Sequence, residues 1–290
     1  MMLQLKLKRV RQLCESTREL RFETSDGKNL DYEAGQFYRF SFEDNEGLFQ
    51  RSYSLGNLDD LYGPYLDIVV SKVDGGRATQ LLFNAEPGLK ATVTGPHGRL
   101  VLPADKPRHL FLVATSVGVA PYLPILQKLK NEAYERVDLF FGVRNREEFI
   151  YREFLTKYAE NHPFFNLKLC ISREDAKEEY EHRGYVTDLL KKEDPSPEGT
   201  IFLVCGNPKM VEDVWSYLTS KKFGGPQVIT EKYVFLYIEN LKSEPVLDIN
   251  ELKSIGLTNK IKIGETIPVL LEKIEDKNGE VLVSASKAQK

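Results

Sequence analysis

The stretch that decides the fold is Leu110–Leu126, LFLVATSVGVAPYLPIL. Leu110 to Ala114 reads as a buried strand, Thr115 to Ala120 as a small-residue turn, and Pro121 with Pro124 as the opening of a helix. At 17 residues the stretch falls short of the ~20 apolar residues that span a bilayer. It is therefore one strand–turn–helix unit, and similar units recur downstream. Apolar runs at Val137–Gly142, Leu167–Ile171 and Ile201–Cys205 alternate with helical segments at Pro124–Glu132, Glu148–Glu160 and Pro208–Ser220. That rhythm predicts an α/β domain with a parallel sheet, whose ligands lie at the carboxyl ends of the strands. A polar loop, Lys191–Gly199, and Gly224-Gly225-Pro226 interrupt it.

Upstream the rhythm is different. Short alternating runs at Leu3–Leu7, Glu19–Glu23, Gln36–Phe42, Tyr65–Val73 and Lys90–Thr94 are punctuated by Gly35, Asn57, Gly75-Gly76, Gly88 and Gly95-Pro96. They predict an antiparallel β-barrel. The expected division is residues 1–103 for the barrel, 107–235 for the α/β domain and 236–290 for a β-rich tail. The tail stands apart in composition, with no Arg, His or Trp and eight Lys against nine acidic residues.

Composition narrows the function. With 41% hydrophobic and 29% charged residues, the 290-residue chain is an ordinary globular protein, about twice the ~150-residue norm for one domain. A net charge of -3 gives no global field to hold nucleic acid or an anionic membrane, so a polyanion must be met locally. Cys14, Cys170 and Cys205 are too few for a disulfide framework or for a four-thiolate iron–sulfur cluster, and a cytoplasmic location is expected. The four His, at 97, 109, 162 and 182, lie in charged or turn contexts and give a hydrolase or metal site little support.

Several short runs could carry chemistry. Arg51-Ser52-Tyr53-Ser54 presents a cation, a flat ring and a hydroxyl at a strand end, suited to a heterocycle and its phosphate. Alone it is equally a strand-end Tyr beside a solvated Arg. Gly75-Gly76-Arg77-Ala78-Thr79 opens a helical run, where backbone amides approach an anion, or else forms a plain glycine turn. The turn Thr115–Pro121 suits a dinucleotide pyrophosphate, although it is no G-x-G-x-x-G fingerprint. Ser172, Arg173 and Arg183 suit an extra 2′-phosphate, unless the guanidiniums simply pair with Glu174 and Asp175. Cys205-Gly206-Asn207-Pro208-Lys209-Met210 brings a thiol to a helix start, where its pKa is expected to fall. The other reading is a small buried residue.

Together with Gly95-Pro96-His97-Gly98-Arg99 and Phe141-Gly142-Val143-Arg144, these motifs stand in the order and spacing of the ferredoxin–NADP reductase family. The likeness is to its compact bacterial branch and covers residues 1–235. The resemblance implies FAD on the barrel, with Arg51, Tyr53 and Ser54 at the flavin and its phosphates, Gly76, Arg77 and Thr79 at the pyrophosphate, and Val70 also in the cofactor site. It implies NADP on the second domain, with Gly118 and Pro121 under the pyrophosphate, Arg144 nearby, and Ser172, Arg173 and Arg183 around the 2′-phosphate. Ser54, Cys205 and Glu231 would be the catalytic residues, and Tyr233 would cover the flavin. Ferredoxin or flavodoxin would be the transient electron partner.

Two departures stand out. Ser116 and Val117 occupy the first two places of a loop that reads Gly-Thr-Gly in the family, so a Cβ at Ser116 is expected to crowd the pyrophosphate. The chain also runs on for 57 residues after Tyr233, where relatives stop. From about Val228, the runs Glu231–Ile238, Ile263–Leu271 and Asn278–Ser284 resemble part of a ribosomal RNA-binding barrel repeat, and Asn278-Gly279 is a hairpin signal. Two coding segments would then meet near Ile229–Val234, by recombination or by selected fusion. With neither a phosphate track nor a dense aromatic platform, the tail is a poor nucleic-acid binder. The alternatives are an NAD(P)H–flavin reductase, the reductase component of an oxygenase, and an RNA-binding fusion acting through the tail.

Overall fold

The computed structural model describes residues 2–59, 61–130 and 134–231, and the backbone of 233–235, 246–248, 270–273 and 282–284. Its first strands are β1 (Met2–Cys14), β2 (Thr17–Thr24), β3 (Phe37–Asp44), β4 (Gly47–Ser54), β5 (Tyr65–Ser71) and β6 (Lys90–His97), with helix α1 (Arg77–Phe83) between the last two. They form a six-stranded sheet of order β4-β3-β6-β1-β2-β5, antiparallel where β1 meets β2 and β6 and where β2 meets β5. Period-two alternation decides the faces: Leu5, Leu7, Leu20 and Phe22 are buried, while Lys6 and Lys8 are exposed. A bridge from Leu55, just past edge strand β4, to Ile68 on edge strand β5 curls the sheet toward the expected barrel.

The second module follows as β7 (His109–Thr115), α2 (Tyr122–Leu129), β8 (Arg136–Val143), α3 (Arg152–Asn161), β9 (Phe165–Ile171), β10 (Glu181–Arg183), α4 (Val186–Glu193), β11 (Thr200–Cys205), α5 (Pro208–Ser220) and β12 (Val228–Glu231). Every pairing in this sheet is parallel, in the order β10-β9-β8-β7-β11-β12. Both faces are covered, which is why the strands read as continuous apolar runs. Leu110, Leu112 and Leu139 pack with Ile125, Leu126 and Leu155 of α2 and α3. Phe111, Val113 and Phe140 pack with Leu190, Val211 and Val214 of α4 and α5. After β7 the chain builds outward through β8, β9 and β10, then returns to β7's other side with β11. The strand order therefore reverses between β7 and β11, where such sheets hold ligands.

Three elements of this module were not anticipated. β10 is three polar residues long, α4 is short and rich in charge, and β12 lies in the stretch read as the start of the tail. The helix expected from Glu148 begins only at Arg152. A short 3-10 turn occupies Arg146–Glu148, and Tyr151, at φ +57°, stands left-handed before α3. The Tyr151 hydroxyl donates to Glu19 Oε2 on β2 at 2.8 Å. Glu19 is buried, and its charge is matched by Arg9 and Arg11 at 3.3 and 2.6 Å.

By compactness the chain divides into two units, residues 1–39 with 52–231, and residues 40–51 with 232–290. In the second unit β13 (Tyr233–Phe235) pairs antiparallel with β14 (Val246–Asp248), and β15 (Leu270–Lys273) with β16 (Leu282–Ser284). The expected hairpin at Asn278-Gly279 and the runs 236–238, 263–269 and 278–281 lie outside the described residues. Among those described, no helix is long and apolar enough to cross a membrane.

Candidate active site

Three sequence-predicted residues meet on one carboxylate. Glu231 ends β12, the outermost strand on its side of the parallel sheet, in register with Cys205 at the end of β11. The Ser54 hydroxyl, from the end of β4, donates to Glu231 Oε2 at 2.9 Å, and the Cys205 thiol points to the same oxygen at 3.9 Å. A fourth motif backs onto this carboxylate. Gly98 has φ +102°, and a Cβ there would lie 3.2 Å from Glu231 Oε1 and 2.8 Å from the Phe37 ring. The expected low thiol pKa at Cys205 is corrected: burial first, then the neighbouring Glu231 charge, pushes it well above the ordinary value. The start of α5 does not compensate, because Asn207 caps that helix with its own side chain, accepting from the Lys209 amide at 2.9 Å. Cys205 is a buried neutral thiol, suited to packing and not to nucleophilic attack.

At the reversal point, Gly118 lies in a 3-10 turn, Ser116–Val119, between β7 and α2. A Cβ on Gly118 would fall 2.4 Å from the Cys205 carbonyl oxygen and 2.7 Å from Gly206 Cα, so this turn and the end of β11 touch through backbone. Ser116 adopts φ +51°, a left-handed geometry that glycine takes without cost. The glycine of the family's loop thus answers a backbone requirement here, which Ser116 meets with strain. Pro121 precedes α2 as its N-cap. Two contributors were missed from sequence. Thr115 Oγ1 accepts from the Asn207 amide at 2.9 Å, and the buried Tyr122 hydroxyl bridges the Val113 and Leu203 carbonyls at 3.0 and 2.7 Å. Both tie β7 to β11. An aromatic directly after Pro121 was the available signal for Tyr122.

A second cluster forms at the carboxyl ends of β8, β9 and β10. The Ser172 amide donates to the Val143 carbonyl at 3.1 Å and the Arg173 amide to the Arg144 carbonyl at 2.8 Å, while Arg183 lies in register with Ile171. Arg144, Ser172, Arg173 and Arg183 are thereby gathered at one rim. Arg144, exposed, pairs with the half-buried Glu148 four residues on, and Arg183 pairs with Asp175, both exposed. The Arg173 guanidinium is exposed and makes no ion pair among the described residues. Beneath them Arg146, which the sequence did not single out, forks onto buried Glu181 at 2.8 and 2.7 Å and also reaches Glu174 and the Asp175 carbonyl.

On the barrel, Gly76 caps α1 at φ -72° after Gly75 at φ +71°, and the first turn of α1 holds no acidic residue. Arg77 opens this helix. The Thr79 hydroxyl accepts from the Val73 amide at 3.0 Å and closes the preceding turn. Val70 is buried in β5. Arg51 and Tyr53 occupy the end of β4, where Arg51 lies over the Phe49 ring at 5.9 Å. The Tyr233 backbone pairs with Asp248 in the second unit.

The donor set fits phosphate-bearing dinucleotides. Guanidiniums, hydroxyls and backbone amides of uncapped turns border each module's site, and neither the α1 nor the Ser116–Val119 turn carries an acidic residue. Residues 4–102 match the oxidoreductase FAD-binding domain family, and residues 112–215 the oxidoreductase NAD-binding domain family. The chain is 32% identical over 212 residues to ferredoxin–NADP reductase B of Sorangium cellulosum, covering 70% of this chain and 85% of that one. It is 30% identical over 215 residues to the ferredoxin–NADP reductase of Pseudomonas aeruginosa, covering 69% and 83%. A ferredoxin–NADP reductase from Neisseria gonorrhoeae, solved with FAD and NADP, shares the fold at a TM-score of 0.70 and 22% identity, over 79% of this chain and 98% of that one. A flavin-module match and a nucleotide-module match in tandem, on a chain that spans most of its relatives' length, make this protein a member of the ferredoxin–NADP reductase family of flavoprotein oxidoreductases.

Proposed function

We propose that this chain is an FAD-dependent ferredoxin/flavodoxin–NADP(+) oxidoreductase of the cytoplasm, with a flavin-binding barrel at 1–103, a nucleotide-binding domain at 107–235 and an accessory tail at 236–290. The observation that carries the reading is the meeting of Ser54 and Cys205 on Glu231, a contact between residues 177 apart in sequence and drawn from both modules. When bound, flavin and nicotinamide supply the hydride and electron chemistry. The protein's residues hold, orient and shield.

Arg51, Tyr53, Val70, Gly76, Arg77 and Thr79 hold the flavin nucleotide, with Tyr233 as its aromatic cover. Gly118 and Pro121 admit the nicotinamide dinucleotide, and Arg144, Ser172, Arg173 and Arg183 select its 2′-phosphate. Cys205, neutral and buried, fills space beside the nicotinamide without offering a competing nucleophile. Glu231 holds the Ser54 hydroxyl in one orientation, and a proton carried at Glu231 Oε2 can pass outward through Ser54 Oγ. A small one-electron carrier, ferredoxin or flavodoxin, completes the cycle.

The test is direct. The purified protein should be yellow, and anaerobic NADPH should bleach it at far lower concentration than NADH. A colourless protein that cannot be reconstituted with FAD would overturn the proposal.

A further inference from the structure

Segment 172–180, between β9 and β10, has little regular structure, and residues 175–179 are exposed. It nevertheless carries or adjoins Ser172, Arg173 and Arg183. It also carries four acidic residues, Glu174, Asp175, Glu178 and Glu179, with Glu181 following at the start of β10, an unfavourable neighbourhood for a phosphate. What fastens it is Arg146. The Arg146 guanidinium, 16% exposed, forks onto Glu181 at 2.8 and 2.7 Å, pairs with Glu174 Oε2 at 2.5 Å and donates to the Asp175 carbonyl at 2.7 Å. The Arg146 amide reaches the other Glu174 oxygen at 3.3 Å. Glu181 Oε2 accepts in addition from the Lys177 and Glu178 amides at 2.7 and 3.2 Å, closing the loop on itself.

We infer that Arg146 is a specificity-positioning residue, which selects NADPH over NADH without touching the nucleotide. The inference rests on the proposal that Arg173 and Arg183 receive the 2′-phosphate. It works in two ways. By binding both Glu174 and Glu181, Arg146 offsets one of their two negative charges and occupies carboxylate oxygens that could otherwise pair with the Arg173 guanidinium. By holding the Asp175 carbonyl, it fixes the partner with which Arg183 pairs at the surface. That exposed pair is weak and exchanges readily for a dianionic phosphate. The backbone that carries both guanidiniums is thus ordered before the nucleotide arrives, and part of the ordering cost of binding is met in advance.

The experiment compares binding of 2′,5′-ADP and 5′-ADP to the full-length flavoprotein by calorimetry. Arg146→Met should weaken 2′,5′-ADP by at least about tenfold and leave 5′-ADP within about twofold, the scale expected when the loop and the side chains on it must be ordered on binding. Arg146→Lys, which keeps the charge but cannot fork, should fall between parent and Arg146→Met, and it keeps the test open if the Met variant folds poorly. Hydrogen exchange in 173–181 should rise in both variants. An unchanged ratio of the two affinities in the Arg146 variants, alongside a collapsed ratio in Arg173→Ala, overturns the role of Arg146 alone. An unchanged ratio in Arg173→Ala overturns the 2′-phosphate site itself, and the inference falls with it.

Discussion

Gly118→Ala tests whether the turn after β7, where the strand order reverses, is the working centre. Gly118 has no positive φ, so the substitution acts through space and not through backbone strain. The added Cβ would stand 2.4 Å from the Cys205 carbonyl oxygen, against about 3.4 Å for ordinary contact, so the turn and the end of β11 must part by about 1 Å. Neither side gives easily. The obstacle is backbone on both sides, braced by the Tyr122 hydroxyl and by the Thr115–Asn207 bond. Overpacking of this kind costs ~1–3 kcal/mol. At roughly 2–4 °C per kcal/mol, the melting temperature should fall by several degrees. The functional loss should be larger in proportion. A misplacement of ~1 Å between reacting groups costs up to ~100-fold, so kcat for NADPH oxidation with ferricyanide should drop at least ~10-fold, while FAD content stays full. Gly225→Ala is the control, because its Cβ meets nothing within 4 Å. Parental melting temperature and kcat in Gly118→Ala would refute both the packing and the placement of chemistry at this turn.

Other perturbations separate the parts. Ser54→Ala removes the hydroxyl bound to Glu231 and should slow anaerobic flavin reduction by NADPH ~10-fold or more in stopped flow, with flavin binding unchanged; a parental rate would remove Ser54 from the mechanism. Glu181 is held down to about 2 by the Arg146 fork, from an ordinary 4.5. Its contribution is therefore complete above pH 4.5 and lost as pH falls toward 2, so urea midpoints across that window should fall more steeply for the parent than for Glu181→Gln. Deleting residues 237–290 removes β14, the pairing partner of Tyr233–Phe235. The shortened protein should keep FAD and retain or increase its activity, and loss of FAD would show that the tail serves the flavin site.

How far the sequence foretold this molecule depended on the range of the signals. Where a strand is buried on both faces, its apolar run betrays it, and all four runs of the parallel sheet proposed from sequence are strands. α5 spans Pro208–Ser220 as expected because Asn207, Pro208 and an amphipathic run all mark the same start. β10 escaped notice because Glu181-His182-Arg183 has no hydrophobic pattern; its place comes from pairing with Leu169–Ile171. The delayed start of α3 had no local warning either. Tyr151 is held left-handed by its surroundings, which include a hydrogen bond to Glu19, 132 residues earlier.

The site divides along the same line. The glycines and arginines proposed to face phosphate lie in short motifs, so their gathering at strand ends follows from the fold class and the motif order. What no motif contains is the partner each side chain takes. Cys205 at a helix start suggested an activated thiol, yet Asn207 takes up the Lys209 amide and Glu231 sets a negative charge beside a desolvated sulfur, so the local rule gives the wrong sign. Arg146, within the run Arg144-Asn145-Arg146-Glu147-Glu148, reads as a solvated charge. Its partners Glu174 and Glu181 are 28 and 35 residues away, and only the register of β8, β9 and β10 brings them together. The electrostatics of this centre are therefore a property of the sheet's register. A substitution that moves β9 or β10 along its neighbour should disturb nucleotide selection even where no phosphate ligand is touched.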